Sequence, residues 1–268
     1  LDIHWTQEMF DQAGMVRGAA KWDYELRNAE QVETVVDRMI TVAMSEPRGP
    51  IYLALPREVL TSNIGDFTYD SPTRQHAASP SIPNADALDQ AAAMLAGAMN
   101  PLIITSWAGR NPATWHALAD FAERYAIPVV QYRNRYMSIP SKHAMNLGYD
   151  PTALLANADV VMVIDTAVPW LPAEHTVRDD VKVIQMAPDP LYGYVPIRGF
   201  PSDIALTCTT ALGLNALGKA MSAHEKVAKS RIDTRRGVLA KQHKKMRDDW
   251  QQRLKESKDK DPVSPVWL

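Results

Sequence analysis

The sequence is poor in the residues that staple or catalyse on their own. Cys208 is the one cysteine in 268 residues, so an internal disulfide is excluded and a reducing compartment is the expected setting. Its thiol lies in the apolar run Ile204-Ala205-Leu206-Thr207-Cys208, which favours a buried, inert side chain over a nucleophile. No apolar run approaches the roughly 18–20 residues that span a bilayer. The start, Leu1-Asp2-Ile3-His4-Trp5, lacks the basic region and apolar core of a secretory signal. A soluble, cytoplasmic protein with no membrane partner is therefore expected. The histidines are scattered, none three or four positions from another His or from Cys, so no metal site is expected. There is no Gly-x-Ser-x-Gly elbow and no linked carboxylate pair, and no catalytic residue is assigned. A net charge of −2 provides no electrostatic footing for nucleic acid.

What is present is an alternation of helix and strand signals. In residues 28–45, Asn28 is placed to cap a helix, and Val32, Val35, Val36, Met39, Ile40 and Ala43 recur at helical spacing. Pro47-Arg48-Gly49-Pro50 breaks it, and Ile51-Tyr52-Leu53-Ala54-Leu55 reads as a buried strand closed by Pro56. The pair is read as the last helix and strand of an α/β layer whose earlier strands are absent, since a lone pair cannot bury its own faces. From Pro56 to Pro83 the chain turns polar and proline-rich, as inter-domain linkers do.

Asn84 is expected to cap a helix through Ala98, stopped by Asn100-Pro101. Leu102–Ser106 then reads as a strand of the buried type, and Ile127–Val130, Val160–Ile164, Val181–Met186 and Ile204–Cys208 as further strands. Helices are expected after the Gly109-Arg110-Asn111-Pro112 turn, around Ala153–Ala156 and over 210–221. Such alternation implies crossovers and a parallel sheet covered on both faces. The expected fold class is α/β: a doubly wound, Rossmann-like central domain, preceded by a partial α/β unit and followed by a charged helical tail. The expected boundaries are 1–60 for the partial unit, 61–83 for the linker, 84–221 for the central domain and 222–268 for the tail. The apolar residues of the tail (Ile232, Val238, Leu239, Met246, Trp250 and Leu254) are sparse. A long solvated helix, or a pair broken near Gly237, lying against another part of the protein is expected.

The motifs give little chemistry. Gly213-Leu214-Asn215-Ala216-Leu217-Gly218-Lys219-Ala220 nearly spells a phosphate-binding loop, but Ala220 replaces the magnesium-binding hydroxyl and the stretch has helical spacing. The turn Ser106-Trp107-Ala108-Gly109-Arg110 stands where a dinucleotide pyrophosphate would sit, yet carries one glycine. Arg110 beside a helix start is a candidate anion contact, with a solvated arginine as the plainer reading. Asp165 and Asp189 follow strands, where acids can accept ribose hydroxyls; turn chemistry is the competing account of Asp189-Pro190.

Several segments resemble one family. These are Gln7-Glu8 followed by Lys21; Arg48-Gly49-Pro50-Ile51-Tyr52-Leu53-Ala54-Leu55-Pro56-Arg57-Glu58-Val59; Ile127-Pro128-Val129-Val130 with Ile139-Pro140, His143 and Gly148; and Ala158-Asp159-Val160-Val161 with Asp189-Pro190 and Asp203. Over residues 1–220 the chain looks like the middle of a thiamine diphosphate-dependent enzyme of the acetolactate synthase-like group. Pro262-Val263-Ser264-Pro265 resembles the entry to the domain that follows. The resemblance implies that residues 1–60 close a pyrimidine-binding domain and that 222–268 lead to a pyrophosphate-binding domain. It implies a homodimer or homotetramer acting on a 2-oxo acid, with thiamine diphosphate and Mg2+ as cofactors. Gln7 and Lys21 would lie near the substrate pocket. The activating glutamate would precede Leu1 and the Gly-Asp-Gly…Asn element would follow Leu268; Gly65-Asp66 is followed by Phe67, without the glycine that element needs. The chain alone is therefore expected to be a fragment that neither binds the cofactor nor turns over. FAD or ADP can occupy the central domain of relatives. Here the glycine-poor turn and the Val168-Pro169-Trp170-Leu171-Pro172 insertion argue against it and for a mainly structural domain. The alternatives are a free-standing FAD-, NAD- or ADP-binding module, or an oligomerisation element built on the tail.

Overall fold

A computed structural model of the chain describes residues 9–69, 75–258, 263–265 and 267. They fall into two compact units, residues 1–80 and 81–268.

The first unit has two parallel strands, β1 (Trp22–Glu25) and β2 (Ile51–Ala54), in register from Trp22 opposite Ile51 to Glu25 opposite Ala54. Helix α1 (Val32–Met44) connects them and the short α2 (Arg57–Leu60) follows. Asn28 does cap the start: its side chain accepts from the Glu30 N–H at 3.0 Å, opening a 3₁₀ turn over Ala29–Gln31 that continues into α1. The expectation that earlier strands are absent is corrected by β1. Trp-Asp-Tyr-Glu has no β-branched run to announce a strand, and pairing with β2 alone defines it. Residues expected to be linker are tied to this unit. The Tyr69 hydroxyl donates to buried Asp37 on α1 at 2.6 Å, and the Ala78 N–H donates to Ser45 Oγ at 3.0 Å.

The second unit runs α3 (Ala85–Gly97), β3 (Pro101–Thr105), α4 (Pro112–Tyr125), β4 (Val129–Val130), α5 (Thr152–Leu155), β5 (Val160–Ile164), β6 (Lys182–Ala187), β7 (Ile204–Thr207), α6 (Thr210–Ser222) and α7 (Glu225–Ser257). Asn84 and Asn111 cap α3 and α4 by accepting from Asp86 N–H at 2.8 Å and Ala113 N–H at 2.9 Å. The sheet order is β4-β3-β5-β6-β7, all parallel. This is a doubly wound, Rossmann-like α/β domain. Pro101, expected to mark the end of a helix, is also the first residue of β3, where a missing N–H costs least.

Strand side chains alternate between two cores. Ile103, Val129, Met162, Ile184 and Leu206 meet α3, α4, α6 and α7; Leu102, Ile104, Val130, Val161, Val163 and Val183 meet Leu155 and Trp170. One face is covered by helices and the other by a short helix and a loop. The tail is not broken at Gly237, which lies in one continuous α7 and whose would-be side chain meets nothing within 4 Å. Nor is α7 free of the central domain: Ile232 and Leu239 are buried in its core. Arg231, Arg235 and Arg236 donate to carbonyls at the ends of α3 and α4.

Candidate functional site

In a doubly wound sheet the ligand crevice opens beyond the carboxyl ends of the strands, where successive connections diverge. Here β3 is flanked by β4 and by β5, so that point lies between Thr105 and Ile164. The candidate residues Asp165 and Arg110 lie in the loops that follow.

Asp165 is buried and has φ 45°, a left-handed conformation that aspartate tolerates better than most residues. Its carboxylate accepts from Thr210 Oγ1 at 2.9 Å, its N–H donates to the Met186 carbonyl, and its carbonyl accepts from the Trp107 N–H. It thereby knits the ends of β3, β5 and β6 to the start of α6. Asp189 holds its own loop, accepting from the Gly193 N–H at 2.8 Å through the carboxylate and from the Tyr192 N–H through the carbonyl. That is turn chemistry. Arg110 ends a 3₁₀ turn over Ala108–Arg110 and is exposed, its N–H on the Trp107 carbonyl at 2.9 Å.

The turn after β3 is closed by the chain itself. A Cβ added to Gly109 would lie 1.9 Å from the Met137 carbonyl oxygen, a distance no side chain can occupy. The Gly109 N–H, one of the amides a pyrophosphate would need, donates to Ser138 Oγ at 3.2 Å. The glycine serves the approach of the 137–138 backbone.

Side chains that the sequence did not single out complete the closure. The Arg135 guanidinium lies 5.5 Å from the Trp107 ring centre, and Trp107 meets Tyr192 edge-on at 6.0 Å. Arg198 stacks on Tyr192 at 4.9 Å and on Phe200 at 5.2 Å, and Phe200 meets Trp170 edge-on at 5.2 Å. Arg198 is fixed by the Ala167 carbonyl at 3.0 Å and by Gln185 Oε1 at 3.1 Å. Burial lowers its guanidinium pKa. Burial, with Asp165 nearby, pushes the Tyr192 phenol well above its ordinary value; that hydroxyl has no hydrogen-bond partner among the described residues. The density of Tyr192, Tyr194, Arg198 and Phe200 in one loop was the available signal. Trp170, from the insertion expected to fill the crevice, is buried among the residues on one face of the sheet.

The other candidates lie in the first unit. Lys21 Nζ donates to the Val42 carbonyl at 2.8 Å and the Ser45 carbonyl at 2.6 Å, a cation on the carboxyl end of α1. Gln7 lies outside the described residues. Gly65-Asp66 is a turn, with Gly65 at φ 68° donating to Asn63 Oδ1 at 2.9 Å. No group of three or more His, Cys, Asp or Glu able to hold a metal occurs among the described residues. Those residues do not fit a magnesium–diphosphate group.

Fold and crevice thus define a nucleotide-type α/β domain whose phosphate turn is packed against its own chain. Residues 88–193, within the second unit, match the family described as thiamine pyrophosphate enzyme, central domain. Oxalyl-CoA decarboxylase of Escherichia coli (strain K12) is 27% identical over 168 residues, covering 62% of this chain and 30% of that protein. Sulfoacetaldehyde acetyltransferase of Rhodobacter capsulatus is 30% identical over 166 residues, covering 58% and 27%. The crystal structure of benzoylformate decarboxylase from Polynucleobacter necessarius superposes with a TM-score of 0.61 at 21% identity, over 75% of this chain and 38% of that one. The chain spans about 30% of the length of the curated relatives it matches.

Proposed function

We propose that this chain is the organising middle part of a thiamine diphosphate-dependent decarboxylase or carboligase of the acetolactate synthase-like kind, acting on a 2-oxo acid. Thiamine diphosphate and Mg2+ would be held by parts of the enzyme outside these residues. The cofactor supplies the carbanion chemistry when bound. The central domain acts as a scaffold that sets the positions of catalytic domains, in a cytoplasmic homodimer or homotetramer. The family match of residues 88–193 supports the class. The contact of Gly109 with the Met137–Ser138 backbone carries the structural role, because the amides and space a nucleotide would use are already taken. The first unit supports an assembly: Phe10, Met15, Ile40, Met44, Leu55 and Leu60 are exposed around a two-stranded sheet too small to be stable alone.

Calorimetric titration of FAD, NAD and ADP into the protein tests this reading. Silence is expected. Tight binding of any of them would sink the scaffold role and favour a free-standing nucleotide module. Carbon dioxide release from pyruvate with thiamine diphosphate and Mg2+ is expected to be absent for the 268-residue chain.

A further inference from the structure

The amino edge of the sheet, opposite the nucleotide crevice, holds a cavity of about 530 Å3 between α7, α5 and the start of β3. That volume is within the range of small-molecule pockets, roughly 300–1,000 Å3. Its walls are Leu102 and Pro128 from the sheet, Leu154 on α5, and Val238 and Leu239 on α7. Positions 231, 234, 235, 238 and 242 of α7 all line it, as the helical repeat requires of one face.

Charge decides what such a space would take. The lining contains two guanidiniums, Arg231 and Arg235, and no carboxylate. Arg235 is committed, with Nε, Nη1 and Nη2 on the carbonyls of Ala126, Ala98 and Tyr125. Among the described residues, Arg231 reaches the Ala96 and Gly97 carbonyls through Nη1, and its other edge faces the place of a second acceptor. The acid that acts on Arg235, Asp159, is outside the lining. Its two oxygens accept from the Met99 and Asn100 N–H groups at 2.6 and 2.9 Å. Asn157, Ser230, Thr234 and Gln242 add neutral polar groups at the walls.

We propose that this cavity is a binding site for a small amphipathic organic anion, a carboxylate or sulfonate whose head group meets Arg231 and whose apolar body lies between Leu154 and Val238. A ligand there touches both α7 and α5, so it strengthens the docking of the tail helix on the domain. The inference is independent of which reaction the protein serves.

Hexanoate is the probe, with hexanol, hexylammonium and sulfate as controls, in calorimetry and thermal unfolding of the whole chain. Hexanoate is expected to bind and raise Tm, with about tenfold preference over each control. Arg231→Gln should abolish that preference. Val238→Trp should block binding by filling the space; Val238 is half exposed, so this variant keeps the core intact even if Arg231→Gln unfolds. No binding of hexanoate, equal binding of hexanol or sulfate, or undiminished binding to the Val238→Trp protein would overturn the assignment.

Discussion

Arg235, in the middle of α7, donates through Nη2 to the carbonyl of Tyr125, the last residue of α4, at 3.0 Å. The same guanidinium reaches the Ala126 carbonyl at 3.2 Å and, at the end of α3, the Ala98 carbonyl at 2.9 Å. One side chain thus satisfies carbonyls at two helix ends, where the backbone has no partners of its own. Burial depresses its pKa, yet an arginine stays charged at any ordinary pH. Arg235→Ala should destabilise the second unit by about 2–3 kcal/mol in urea unfolding. Arg235→Lys should recover less than half, because the three donors of an ammonium radiate from one nitrogen and cannot span carbonyls that three separate guanidinium nitrogens reach. Full recovery by lysine would show that charge alone matters.

Gly109→Ala tests the closed turn. Its Cβ would stand 1.9 Å from the Met137 oxygen, so the 137–138 segment must retreat, at about 1–3 kcal/mol. Limited proteolysis near Arg133 and Arg135 should accelerate in parallel. Unchanged stability would mean that this backbone yields freely.

Cys208 and Gly213 form a second close approach, with a Cβ on Gly213 lying 2.3 Å from Cys208 Sγ. Gly213→Ala should therefore destabilise, and Cys208→Ala should relieve part of the cost. The double-mutant cycle should give a coupling of about 0.5–3 kcal/mol; strict additivity would contradict the packing.

Burial pushes the Cys208 thiol up to about 12, while the unfolded thiol titrates near about 8.5. Between these values the unfolded chain has lost the proton that the folded chain retains. The contribution to stability is complete below the unfolded pKa and is lost as pH rises toward the folded one. Subtracting the pH profile of Cys208→Ala should isolate a decline on the order of a few kcal/mol across that window. The thiol should also resist a disulfide reagent until the protein unfolds. Rapid labelling of the native protein would contradict the burial.

Tyr192→Phe separates a packing tyrosine from a functional one. Its hydroxyl is buried without a partner among the described residues, so removing it should leave stability unchanged or raise it by up to about 1 kcal/mol. A clear loss would show that the phenol is hydrogen-bonded in solution.

Much of the architecture was legible because it is written in local periodicity. Apolar runs such as Val160–Ile164 announce strands by their β-branched residues between turn signals, and Asn84 and Asn111 carry the cap chemistry in their own side chains. β1 was not read from the sequence: Trp22–Glu25 alternates aromatic and acidic residues, but over four positions only, and the hydrogen bonds to β2 make it a strand. The long helix of the tail was legible, but not what it packs on. Its apolar residues are few, and what docks it is arginine on carbonyl oxygens of helices more than a hundred positions away.

For the site, the succession of strands and helices and the glycine-poor turn were visible in the residues, and with them the place where a nucleotide would sit in such a fold. That Gly109 faces Met137, that Arg198 bridges Tyr192 and Phe200, and that Lys21 holds the end of α1 depended on which distant segments meet. Helix and strand spacing is set by each residue's neighbours in the chain. Approach distances and buried partners are set by the packing of the whole unit, which no window of the sequence contains.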